Sequence, residues 1–441
     1  MNMVLRNLNR FVVLALLAIL PSVQSRTLAQ NSPIDTALAF QYFQEAQALC
    51  NRDNGKLWGV SLCAPMLFVD RKTRTVAANQ ADKEGILTKN GNVFVGQLPA
   101  KVNIANTATE WAGVKWTMVI FPLPENKLRR ANLMAHELWH RVQNDIGFPG
   151  SGAANNHLDS RDGRVWLQLE WRALAAALTN RGKQRRQAIA DALLFRAYRR
   201  TIFPNAATEE RDMEMHEGLA EYTGVTLSGS PNLNQYVVDK DLREAAQKQT
   251  FVRSFAYASG PAYGVLLDET KAKWRKNLKK DDDLGGLLQK KLSIELPRNI
   301  KQTAELRAKH YDGEKLQALE TERENNRQKL IATYRAKLVD GSVLAIPLQK
   351  MNMQFNPGNL LPLDSLGTVY PDIRIVDVWG ILTVSRGGAL MNPTFSIIYV
   401  SAPGNLSASP IQGDGWTLEL NAGWTITNGE RKGDYLVKKS A

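Results

Sequence analysis

Five consecutive residues, His136-Glu137-Leu138-Trp139-His140, form the most chemically pointed pattern in this 441-residue chain. The two histidines are four apart, so on a helix both imidazoles face one side, about one turn from each other. That spacing lets two ring nitrogens clasp a single Zn²⁺, with Glu137 placed to reach a metal-bound water. Zinc acidifies such a water, and a neighbouring carboxylate takes its proton as the oxygen attacks a polarised carbonyl. The chain has only five histidines, so chance is a poor explanation of the pattern.

A catalytic zinc takes a third protein ligand and keeps the fourth position open. The run HELWHRVQNDIG has no ligand at the short HExxHxxGxxH spacing, so the third must come from a later helix. Two glutamates qualify, Glu170 in LEWRAL and Glu217 in MHEGLAEYTG. Glu217 is preferred. Gly218 beside it allows backbone and metal to approach closely, and Glu221, one turn on along the same face, can accept the free N–H of a ligand imidazole. Glu170 has Leu174 at the corresponding place. Set among Trp166, Leu167, Leu169 and Trp171, it must either support the metal from behind or pair with an arginine, because a lone buried carboxylate is costly. Tyr257 and Tyr263 flank an expected Ser-Gly-Pro turn in RSFAYASGPAYG. Either hydroxyl is a candidate to stabilise a developing oxyanion. His157 and His216 are cleft candidates, with His216 read chiefly as packing beside the ligand, and His310 is expected to be solvated.

At these residues the chain resembles the gluzincin metallopeptidases. HELWH followed by EGLAEY is similar to their motif pair, and EGLAEY is most like the segment carrying the ligand glutamate in bacterial collagenases and in aminopeptidases with an EGFA-type motif. The resemblance covers about residues 125–225. It implies zinc ligands His136, His140 and Glu217, Glu137 as general base, and a peptide or protein substrate. The gap from His140 to Glu217 is longer than in those families and is read as an insertion of two helices, which leaves Glu170 open as the third ligand.

The elements that must position these groups are legible from periodicity. Residues 55–123 read as short strands, with LWGVSLCAPMLFVD, RTVAAN, NVFVGQLP and VKWTMVIFPLP rich in β-branched and aromatic residues. The last of these is expected either as an edge strand able to pair with an extended peptide or as an ordinary core strand. Helices are expected over Glu125 to about Ile146, Arg164–Asn180 and Lys183–Phe203. A fourth should start near Thr208 as N-cap, with Glu209, Glu210 and Asp212 in its first turn. From Gly313 a long, charged surface helix follows. Beyond Asp340-Gly341, DIRIVDVWGILTVS, TFSIIYVS and GWTLELNAGW return to strand texture.

Arg6 and Arg10 ahead of the apolar run Phe11–Leu20, with small residues at Ser25 and Ala29, fit a cleaved signal peptide. In an oxidising compartment Cys50 and Cys63, the only cysteines, are expected to pair. Net charge is +13, or +10 without the three arginines of residues 1–29. That balance suits anionic envelope polymers. Nucleic-acid motifs are lacking and no later segment reads as a membrane span. The expected fold is α+β: a signal peptide (1–29), a zincin-like region made of a sheet with the metal helix (30–147) and a helical part (148–340), then an all-β module (341–441). The expected function is an exported zinc-dependent metallopeptidase. The alternative, a non-catalytic zinc-containing envelope-binding protein, would need no carboxylate beside the metal and would usually close its site with four protein ligands.

Overall fold

Along Met66–Asp70 (β1), Met66 and Phe68 face one side of the strand while Leu67 and Val69 face the other, and all four are buried. A strand apolar on both faces needs cover on both. The computed structural model, which describes residues 34–440 except 100–101, 151, 153–154 and 357, supplies it. The expected leader lies outside the described residues. A helix, Thr36–Asp53 (α1), covers one face by stacking Phe43 on Phe68 at 4.3 Å between ring centroids. The other face closes over a core of Trp111, Trp116, Met118 and Leu98.

The remaining strands are Thr75–Ala78 (β2), Thr88–Asn90 (β3), Val93–Gln97 (β4), Thr107–Trp111 (β5) and Val114–Phe121 (β6). The sheet order is β3-β4-β2-β1-β6-β5, with β1 and β6 parallel and the other neighbours antiparallel. The strand expected as a possible edge, β6, is therefore interior, and β5 forms the edge beside it. LWGVSLCAP, also expected as strand, is loop. It is tied to α1 by the Cys50–Cys63 disulfide and to the core by Trp58, whose ring lies 4.3 Å from that of Trp139.

After β6 the chain enters helices. Asn126 caps Lys127–Val142 (α2), its Oδ1 accepting from the Arg129 N–H at 3.0 Å. Arg161–Thr179 (α3) and Gly182–Ile202 (α4) form the excursion that the long His140-to-Glu217 gap foreshadowed. Ala206–Met213 (α5) leads into a π turn, Glu214–Gly218, and then Leu219–Leu227 (α6). The N-cap of α5 is Asn205, in the left-handed region (φ 65°), three residues before the expected Thr208. Leu233–Tyr236 (α7), a second π turn at Val237–Leu242 and Arg243–Ala245 (α8) lead to Ala256–Glu269 (α9). The Ser259-Gly260-Pro261 run is not a turn but lies inside α9. Leu284–Leu292 (α10), Ile300–Ala308 (α11) and Gly313–Arg335 (α12) complete the helical part.

The sequence places α6 between α2 and α9 by using glycine where backbones touch. A Cβ on Gly260 would lie 2.3 Å from the Gly218 Cα, and one on Gly224 would lie 2.8 Å from the Asn132 carbonyl oxygen. Beyond α12, twelve strands among the described residues, from Val343 to Lys439, form a seven-stranded and a five-stranded sheet around one core that includes Leu344, Ile375, Trp379 and Trp416. The chain is thus α+β with a C-terminal all-β region. No helix among the described residues is long and apolar enough to cross a membrane.

Gly260→Ala should destabilise the protein by at least about 1–3 kcal/mol, because the atoms met are backbone and cannot rotate away. Gly404, with nothing within 4 Å of its would-be Cβ, should accept alanine within about 0.5 kcal/mol. Urea unfolding of the two variants side by side checks the contrast.

Candidate metal centre

Helix α2 delivers His136 and His140 one turn apart, and their Nε2 atoms come within 3.0 Å of each other. The π turn brings Glu217 to the same point, its Oε2 lying 3.5 Å from His136 Nε2 and 3.4 Å from His140 Nε2. Among the described residues these three form a cluster whose ligand atoms all lie within 4.8 Å of one another. Nitrogen and oxygen ligands about 2.0–2.1 Å from a tetrahedral zinc stand roughly 3.3 Å apart, so the spacing and the donor types fit that ion.

The back of each imidazole strengthens the fit. His136 Nδ1 faces Glu221 Oε2 at 2.8 Å, and His140 Nδ1 faces Gln143 Oε1 at 2.9 Å. With each Nδ1–H donating to an oxygen, both Nε2 lone pairs are left to meet at the shared point. Glu221 is itself held by the Asn132 side-chain amide at 3.0 Å and by the Lys240 ammonium. Glu217 uses its other oxygen, Oε1, to accept from Arg253 Nη2 at 2.9 Å, while the Tyr257 hydroxyl donates to Oε2 at 2.6 Å. The Tyr257 ring also stacks on His136, nearly parallel at 5.3 Å.

Electrostatics say what this pocket lacks. Burial works against a proton on His136, but hydrogen bonds to Glu217 and Glu221, with Glu137 close by, outweigh it and raise the imidazole to about 10. The carboxylates call for a cation. Burial likewise works against ionisation of Glu217, yet its contacts with His136 and His140 hold it far below the usual carboxylate range. Tyr257 is pushed well above its ordinary value by burial and by Glu217, so it stays a phenol and a donor. Burial takes His216 down to about 4 despite Glu217. Its neutral ring sits 5.1 Å from that of His140, as expected of packing beside the ligands.

Among the three carboxylates of the site, Glu137 is the one with an unpartnered buried oxygen. It is 4% exposed, burial raises its pKa, and its Oε2 has no hydrogen-bond partner among the described residues. A buried acceptor without a donor is a rarity that calls for an explanation, and a water or substrate proton at the neighbouring metal point would supply one.

Of the other candidates, the structure brings Tyr257 to the cluster and leaves Tyr263 and Glu170 elsewhere. The Tyr263 hydroxyl donates to Glu170 Oε1 at 2.7 Å, and Glu170, fully buried, also accepts from Arg196 at 3.3 Å and Arg199 at 2.5 Å. Glu170 is thus the arginine partner and lies outside the cluster of His136, His140 and Glu217. Its tryptophan-rich surroundings foreshadowed burial but not which cation would meet it. Tyr257 and Tyr263 are six apart, which puts them on different faces of α9. His157 joins Glu210 at 3.0 Å in that same buried network, and His310 is exposed. Gly218 packs against Gly260 and the Ala256 carbonyl oxygen of α9.

Four supporting residues went unnoticed in the sequence. Asn132 and Gln143 lie one turn before His136 and three residues after His140, so helical spacing on α2 would have found them. Lys240 and Arg253 arrive from other elements with no local signal.

A scan against protein-family models and searches of curated proteins and solved structures found no match, so the site is read from its own geometry.

Purified protein should carry about one zinc per chain by elemental analysis. Glu217→Ala should lose it, and Glu221→Gln should weaken binding by about 10–100-fold. Glu170→Gln should keep the metal while losing stability. Metal loss in Glu170→Gln but not in Glu217→Ala would reassign the third ligand.

Proposed function

We propose that this chain is an exported zinc-dependent peptidase of the zincin type, cleaving peptide bonds by water attack. The observation that carries the reading is the convergence of His136, His140 and Glu217 beside a buried Glu137 oxygen that no described residue occupies. When bound, zinc would supply Lewis-acid polarisation of the substrate carbonyl and lower the pKa of the attacking water.

The chain's own residues would do the rest. Glu137 accepts the proton that leaves the water as its oxygen bonds to the carbonyl carbon. It passes that proton to the amine nitrogen as the carbon–nitrogen bond breaks. Tyr257, which donates to Glu217 Oε2, would donate to the carbonyl oxygen as negative charge gathers there. Arg253 holds Glu217 from its far side by donating to Oε1. The edge strand β5, beside β6 and near α2, offers unpaired backbone along which an extended peptide would align by strand addition.

The Cys50–Cys63 disulfide supports an oxidising compartment, as does the expected leader. The basic charge balance supports contact with anionic envelope polymers. A structural zinc protein is the weaker reading, because three protein ligands with a free carboxylate beside them make an open site.

Glu137→Gln should retain zinc and lose about 10²–10⁴-fold in turnover, measured on hits from a peptide-library screen of the wild type. Tyr257→Phe should lose about 10²–10³-fold with the metal in place. Full activity of Glu137→Gln would sink the mechanism.

A further inference from the structure

A second buried cluster of charges lies outside the site and takes no part in the chemistry above. Glu170, Glu210 and Glu214 are fully buried, as is Arg199, and Arg196 is 2% exposed. Burying so many charges is expensive, and apolar residues of similar volume would often hold helices together at least as well. The arrangement of the contacts suggests what the charges accomplish. Arg196 grips Glu214 with a two-pronged fork, Nη1 to Oε1 at 2.9 Å and Nη2 to Oε2 at 2.5 Å. One turn earlier on the partner helix, Arg199 forks onto Glu210 at 2.7 and 2.9 Å. These two rungs tie α5 and the start of the π turn to α4. Arg196 also reaches Asp283 at 2.8 Å, and Glu170 joins both arginines to Tyr263 of α9.

Glu214 opens the π turn that carries Glu217. Its side chain leaves toward α4 while that of Glu217 leaves toward α2. The turn touches α9 through Gly218 and Gly260, a smooth glycine contact that resists compression but not sliding or rotation. A bidentate ion pair resists both, because both N–H···O bonds must stay in one plane.

We propose that Arg196, acting through Glu214, is a positioning residue for the metal centre: it fixes the rotation of the π turn and so the place of Glu217. The inserted pair α3–α4, which separates the HELWH motif from its third ligand in sequence, then becomes the wall against which that ligand is set. This inference rests on the zinc reading.

The test compares Glu214→Gln and Arg196→Lys with Asp191→Asn. Gln keeps the shape at 214, and Lys keeps the charge at 196 without the fork, so either carries the test if the other fails to fold. Asp191 lies on the same helix, is 1% exposed, and is held by Arg307 at 2.6 and 2.8 Å and Tyr311 at 2.8 Å, facing away from the turn. Zinc affinity would be read by competition with a chromophoric chelator, the ligand geometry by the visible spectrum of the cobalt-substituted protein, and stability by thermal melts without metal. Glu214→Gln and Arg196→Lys should bind zinc about 10–100-fold more weakly and shift the cobalt spectrum. Asp191→Asn should melt lower but bind within about twofold of wild type. If the two network variants melt lower yet match wild type in affinity and spectrum, the network only holds the fold and the inference falls. If wild type itself binds neither metal, the zinc reading falls and takes the inference with it.

Discussion

Taking a carboxylate out of water costs several kcal/mol unless charge or hydrogen bonds compensate it, and here three of them, Glu137, Glu217 and Glu221, are almost completely buried around two imidazoles. The helical part is organised around that demand. Glu221 is met by Asn132 from α2 and by Lys240 from the second π turn, and Glu217 by Arg253 and Tyr257 from the approach to α9 and its first turn. No single element could provide all of these. The remaining negative charge raises the His136 imidazole to about 10, and a divalent ion at the same point would answer it with a larger charge.

Meeting that demand requires helices closer together than ordinary side chains allow. Gly218 against Gly260 and Gly224 against Asn132 remove the bulk that would keep α6 away from its neighbours. Close approach alone leaves a helix free to turn about its axis, so polar contacts must set its rotation. The two π turns fall where that setting matters, one carrying Glu217 and the other Lys240. An extra residue in a turn shifts the faces of everything after it, which is why such turns gather at functional sites.

How much of this could be read in the sequence follows from the range of each interaction. His136, Glu137 and His140 share one helix, so their spacing alone announced the pair of imidazoles and the acid between them. Glu217 with Glu221 announced itself the same way on a second helix, and the strand and helix textures gave the α+β order and the all-β end. What escaped notice was relational. Whether β6 or β5 lies at the edge depends on which strands add later to the sheet, and no local pattern encodes it. Tyr263 and Tyr257 look alike in RSFAYASGPAYG, and only the contact of Gly260 with Gly218 decides which one faces the ligands. Glu210, expected as a first-turn acid, is buried because Arg199 and Arg200 arrive from a helix whose docking the sequence does not state.

The same reasoning links the site to the far end of the chain. Arg253 and Tyr257 follow a segment whose start is pinned by Asp159, which accepts the Phe251 N–H at 2.7 Å and the Thr250 hydroxyl. Arg164 lies over the Phe251 ring at 3.4 Å, and a buried guanidinium there needs an anion. Glu320 of α12 provides it at 2.8 Å, beside Leu316 in the same core. Further along, Ile331 and Tyr334 of α12 and then Leu338 join Leu361, Val369 and Leu390 of the β region. The helix expected as a solvated surface rod is exposed along most of its length, with Gly313, Leu316 and Glu320 buried at its start and Ile331 and Tyr334 half-buried near its end. One ion pair, Arg164–Glu320, at once closes the core beside the segment that leads to Arg253 and Tyr257 and anchors the helix that leads into the β sheets.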